Sequence, residues 1–133
     1  MDAGRADASE QAGLENIQKQ LAYLNTAIQR HALWEEKAVH PLLRQKIPGV
    51  SERIEAEHKT LNHNLENLVQ LLDAAIALPA AYEKRGQVMQ EFYLAFNRFA
   101  MVCLDHIGYE EEQIEPNMWN LCTKQELLTA LLF

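Results

Sequence analysis

The chain is poor in the residues that staple, bend or extend a fold. Two cysteines, Cys103 and Cys122, cannot build a disulfide framework in 133 residues, and their scarcity points to a reducing compartment. Five glycines, four prolines and few β-branched runs leave little material for strands and hairpins, which favours helix. Positive charge is also short. Twelve Lys and Arg stand against 19 Asp and Glu, and a formal net charge of −7 argues against a nucleic-acid partner, whose phosphates attract a basic surface. No apolar run reaches the roughly 18 residues of a membrane span. The stretch from Met1 to Gln11 has no apolar centre and no Arg-rich amphipathic pattern, so it reads as neither a secretory signal nor a transit peptide. The expectation is a cytoplasmic protein.

What is present is an ordinary apolar content of 48%, enough for one real core at this length. Residues 1–11 are expected to form a flexible tail and residues 12–133 a single domain. Apolar residues recur in steps of three and four, the helical period. Leu14, Ile17, Leu21, Leu24, Ile28, Ala38 and Leu42 mark a first long helix from about Leu14 to about Lys46, bent near Pro41. Pro48-Gly49 ends it, and Ser51 is the expected N-cap of a second helix reaching about Leu78. A third begins between Ala81 and Gln87 and ends near Pro116, and a short Leu-rich helix covers about Lys124 to Leu132.

Two stretches are copies of one another. His31-Ala-Leu-Trp-Glu35-Glu36 is followed after four residues by Pro41, and His106-Ile-Gly-Tyr-Glu110-Glu111 after four residues by Pro116. A step of four residues turns about 40° past a full circle, so each His shares a helix face with its Glu. His31 and Glu35 fall in the middle of the first apolar stripe, His58 interrupts the second, and His106 with Glu110 interrupt the third. Buried carboxylates and imidazoles at core positions need a collective partner. One or two divalent ions satisfy all five, and this donor set suits iron, manganese or zinc. Trp34 and Tyr109 lie close enough to cover such a site, and Phe92, Phe96 and Phe99 would wall it. His63 is read as facing solvent, and His40, nine residues from His31 and so on the opposite face, as exposed or as a helix-end residue near the Pro41 bend. Glu36, Glu57 and Glu111 lie off the stripes and are read mainly as solvated charges, with hydrogen bonding to the ligands as the alternative. Cys103 is read as a small buried hydrophobe.

The His31-x3-Glu35-Glu36, Glu57-His58 and His106-x3-Glu110-Glu111 pieces, with Pro41 and Pro116, resemble the hemerythrin-like family, or HHE cation-binding domain, over about residues 14–132. The resemblance implies an all-α, up-down helical bundle, here with three long helices and a short C-terminal one. It implies a non-haem centre of two iron ions, with His31, His58 and His106 as terminal ligands and Glu35 and Glu110 as bridging carboxylates. It also implies a small ligand such as oxygen or nitric oxide at that centre. The family's usual first helix, with a further His ligand, has no counterpart before His31, and Asn62 stands where some members place a second His. A face left uncovered by that helix predicts a homodimer or larger assembly. The expected function is binding or sensing of oxygen, nitric oxide or iron. The alternative is a metal-free interaction module with a degraded site. An enzyme ranks lowest, because no dedicated acid, base or substrate pocket is legible.

Overall fold

The computed structural model describes residues 3–79 and 81–132, and among them every regular element is helical. Three helices are long: α1 (Ala3–Trp34), α3 (Val50–Ala77) and α4 (Glu83–Gln113). Three are short: α2 (His40–Lys46), α5 (Glu115–Leu121) and α6 (Lys124–Leu132). The first helix starts at Ala3 and includes residues expected to form a tail; Gln11 is tied down, its Nε2 donating to the Ile76 carbonyl at 3.2 Å. No described helix is long and apolar enough to cross a membrane.

The chain divides into two compact units. Met1–Thr26 and Asn62–Ala100 form one of them. Its buried residues, Leu14, Leu21, Leu65, Leu68, Leu72, Ala75, Phe92 and Phe99, follow the three-and-four spacing of the stripes. Removing each such Leu or Phe side chain from water contributes about 1.5–3 kcal/mol. Arg85, buried to 3% exposure, donates to Gln11 Oε1 at 2.8 Å. Phe96 is 43% exposed, so the three phenylalanines do not form one wall.

The second unit comprises Ala27–Leu61 and Met101–Phe133. Val39, Leu43, Val50 and Ile54 form its apolar centre, with Trp34, Ile47, Tyr109, Ile114 and Met118 packed against them. The guanidinium of Arg53 lies 3.7 Å from the centre of the Tyr109 ring, a cation–π contact. Gly49 makes the turn into α3 at φ +94°, a conformation that glycine adopts without steric cost. The helix then begins at Val50, one residue ahead of Ser51. The Ser51 hydroxyl, fully buried, faces back to the His40 carbonyl at 3.5 Å and does not cap α3. At α6, Thr123 and Glu126 form a reciprocal capping box, with N···O distances of 2.9 and 3.2 Å. Lys46 Nζ lies 3.6 Å from Glu126. The side chains of Leu128, Leu131 and Leu132, on which the expected packing of this helix rests, lie outside the described residues.

The two copies of the repeat end differently. After Trp34 the first widens into a π-helical turn, Glu35–Val39, closed by the His40 N–H donating to the Glu35 carbonyl five residues back. Pro41 supplies the reason. It has no N–H for the Lys37 carbonyl, and its ring presses on that group in a regular helix. Widening the preceding turn accommodates both. In the second copy α4 stops at Gln113 and a new helix starts with Glu115-Pro116.

Candidate metal centre

All the polar residues that interrupt the apolar stripes belong to the second unit. The end of α1 and the π-turn supply His31 and Glu35, α3 supplies His58, and α4 supplies His106 and Glu110. Glu35, His58, His106 and Glu110 each offer one ligand atom, and these atoms all lie within 4.8 Å of one another. Glu35 is fully buried, and His58 and His106 are each 5% exposed. His58 Nε2 stands 3.4 Å from Glu35 Oε2 and 3.6 Å from Glu110 Oε1. His106 Nε2 meets Glu110 Oε1 one turn along α4. The His58 and His106 rings meet edge to face at 4.8 Å.

His31 occupies the rim. Its side chain is 51% exposed, with Nε2 against Glu35 Oε1 and 3.2 Å from Glu110 Oε2. It therefore touches both carboxylates while leaving the cluster one solvent-facing edge. Trp34, 6.2 Å from His31 ring to ring, and Tyr109 are half-buried and pack on the apolar centre described above.

Sequence reasoning placed His31 on a buried stripe, where the structure leaves it half-exposed, and misjudged the surroundings of His40 and Glu57. His40, expected on the exposed face, is fully buried, with Nε2 3.6 Å from Glu35 Oε2 and Nδ1 3.2 Å from Glu55 Oε1. The π-turn is the cause: five residues make one turn there, so Glu35 and His40 share a face that a regular helix would deny them. Glu57, read mainly as a solvated charge, holds His106 Nδ1 at 2.7 Å and is itself held by Arg53 Nε at 2.9 Å. His63, Glu36 and Glu111 are exposed as expected, and Cys103 is half-buried, its thiol pushed up by burial.

The electrostatics are those of an acid–imidazole cluster. The Glu110 and Glu35 carboxylates raise the His31 imidazole from 6.5 to about 10, against the opposing pull of burial. Burial acts to raise Glu110, but contacts with His106, His31 and His58 overcome it and hold the carboxyl well below the usual range. Burial likewise acts to lower His106, and its carboxylate partners Glu110 and Glu57 reverse that. A pH dependence of the metal-free protein follows. Stability from a raised imidazole is complete below about pH 6.5 and is lost as pH rises through the folded value; for His31 that loss runs toward pH 10. Stability from Glu110 is present above about pH 4.5 and is lost as pH falls. Thermal melts of the chelated protein should therefore show a lower melting temperature at pH 9 than at pH 6. A His31→Gln chain should show a shallower slope over the same interval.

Protons alone leave the cluster incompletely satisfied. Glu35 Oε2, His40 Nε2 and both nitrogens of His58 are buried without a hydrogen bond, and Glu35 Oε1, His106 Nε2 and Glu110 Oε1, although in ion-pair contact, make none either. In a native interior such groups are nearly always partnered, by protein, water or an ion. Two ligand atoms each about 2.1 Å from one ion stand about 3.0–3.5 Å apart at ordinary coordination angles. The 3.4 and 3.6 Å separations around His58 lie near that range, and imidazole with carboxylate is a donor set for iron, manganese and zinc. The residues fit a metal centre.

An all-helical chain that gathers imidazoles and carboxylates from successive helices into one buried cluster is of the class of helical cation-binding domains. Residues 2–118 match the hemerythrin HHE cation-binding domain, and the chain belongs to that family. No curated protein and no solved structure matches it significantly. A separate helix ahead of the one bearing His31 is absent among the described residues, in which Ala3–Trp34 is continuous.

Proposed function

We propose that this protein holds two iron ions through His31, Glu35, His58, His106 and Glu110 and uses them to bind or sense a small ligand such as oxygen or nitric oxide. The observation that carries the reading is the set of buried nitrogen and oxygen atoms of this cluster that have no hydrogen bond. When bound, reduced iron supplies reversible coordination of a diatomic ligand, a property that hydrogen bonding alone lacks. The chain's own residues do the rest. Glu35 and Glu110 reach between imidazoles of different helices, Glu57 orients His106, and the half-exposed His31 marks the edge by which a small molecule would enter. The two unpaired cysteines fit the cytoplasm.

A homodimer or larger assembly is part of the same reading. Met101, Leu104 and Ile107 on α4, all in the second unit, are at least half exposed, the smallest value being 50%, and exposed apolar clusters commonly mark association.

The test is metal per chain by elemental analysis after expression in iron-supplemented medium, with an optical spectrum. About two irons per chain with near-ultraviolet charge-transfer absorption is the expected result. A chain that stays free of metal after anaerobic reconstitution with ferrous iron overturns the reading and favours an interaction module built on the same helices.

A further inference from the structure

We propose that His40 is an additional ligand of this centre, binding through Nε2 an ion that Glu35 also holds. The proposal rests on the metal-binding reading above and adds to it a residue outside the repeated motif.

Three observations point the same way. The first is position. The π-turn closes from the His40 N–H to the Glu35 carbonyl, which sets the two side chains one turn apart on one face. The Ser51 hydroxyl against the His40 carbonyl pins the backbone there. In the second copy of the motif the corresponding residue is Glu115, which is exposed, so this placement is not a by-product of the repeat.

The second is the state of the ring. His40 is 0% exposed, and its Nε2 has no hydrogen-bond partner although it stands 3.6 Å from Glu35 Oε2. An imidazole kept merely for packing would direct that nitrogen to a donor or acceptor within reach. The separation suits two ligands of one ion better than a direct hydrogen bond.

The third is the support behind the ring. His40 Nδ1 lies 3.2 Å from Glu55 Oε1, and Glu55 is paired in turn with Arg44. His106 is mounted in the same way, with Nδ1 on Glu57 and Glu57 on Arg53. A carboxylate on Nδ1 retains the proton there and leaves Nε2 with a free lone pair, the arrangement that orients metal-binding histidines. Two Arg–Glu–His chains thus converge on the cluster, one ending at Glu35 and the other at Glu110.

The test titrates Co²⁺ and, anaerobically, Fe²⁺ into the metal-free wild-type chain and into His40→Gln and Glu55→Gln chains. Stoichiometry, affinity and the visible Co²⁺ spectrum are read. The wild type is expected to take two ions. His40→Gln should lose one of them or bind it at least tenfold more weakly, with an altered Co²⁺ spectrum. Glu55→Gln should retain the stoichiometry with weakened affinity, as loss of a supporting carboxylate commonly costs about 10–100-fold. A His40→Gln chain with wild-type stoichiometry, affinity and spectrum overturns the proposal while leaving the metal reading intact. A wild type that takes up neither ion overturns both. Should His40→Gln fail to fold, ¹⁵N NMR of the Zn²⁺-loaded wild type decides. A metal-bound shift at His40 Nε2 supports the assignment, and an unchanged Nε2 resonance rejects it.

Discussion

A Glu35→Ala chain is expected to keep its helices and to lose metal binding, with affinity falling by more than 100-fold. Glu35 is fully buried, and its two oxygens face different partners: Oε1 meets His31, while Oε2 faces His58 at 3.4 Å and His40 at 3.6 Å. Among the described residues no other carboxylate meets these three imidazoles together. Even residues that only support a ligand contribute about 10–100-fold to metal affinity, so a carboxylate at the middle of the donor set should contribute more. Glu110→Ala should behave alike, since Glu110 meets His31, His58 and His106. His58→Ala should lower the metal content with less effect, because one donor goes and both carboxylates stay. Elemental analysis with far-ultraviolet circular dichroism separates loss of metal from loss of fold. Wild-type metal content in a helical Glu35→Ala chain would show that these side chains are not the ligands.

Removing the metal from the wild type should lower its melting temperature by about 10 °C. Ions that bind only the folded chain stabilise it by about 2.7 kcal/mol when present at a hundred times the dissociation constant. For a domain of this size each kcal/mol moves the midpoint by roughly 3–5 °C. The physical origin is the cluster itself. Without ions, buried carboxylate and imidazole atoms lack hydrogen bonds, and desolvation weighs against the charged forms of His106 and Glu110. Scanning calorimetry before and after chelation, at pH 7 and with metal restored as a control, measures the difference. A midpoint that does not respond to chelation or to added ferrous iron would favour the interaction module.

Much of this was legible in the chain. The Pro48-Gly49 break, the expected Ser51 cap and the following Pro79 located α3 to within two residues at its start and one at its end, and Lys124 to Leu132 is helical as expected. The paired His-x3-Glu motifs named residues that the structure brings together, because an α-helical step of four holds regardless of what packs outside. The first helix is longer than its apolar stripe suggested. Polar residues such as Gln11 join it through hydrogen bonds to α3 and Arg85, contacts that hydrophobic periodicity does not register.

Sequence alone determined the all-helical class, the repeated donor pairs and the placement of His58 on a buried stripe, since each depends on local periodicity within one helix. Tertiary structure decided the burial and the partners of His40 and Glu57. Glu57 reaches a histidine 49 positions away, a pairing that no local pattern encodes. His40 lies on the buried face because the regular helical period that leads from His31 to an exposed position is interrupted by the π-turn Glu35–Val39. Pro41 removes one backbone donor and crowds the Lys37 carbonyl, the turn widens, and the helical phase shifts. Pro116 meets the same constraint with a break and a new helix. The proline could announce that the helix must yield, but the form it takes, a π-turn that carries His40 inward beside the buried Val39, Leu43, Val50 and Ile54, belongs to the folded chain.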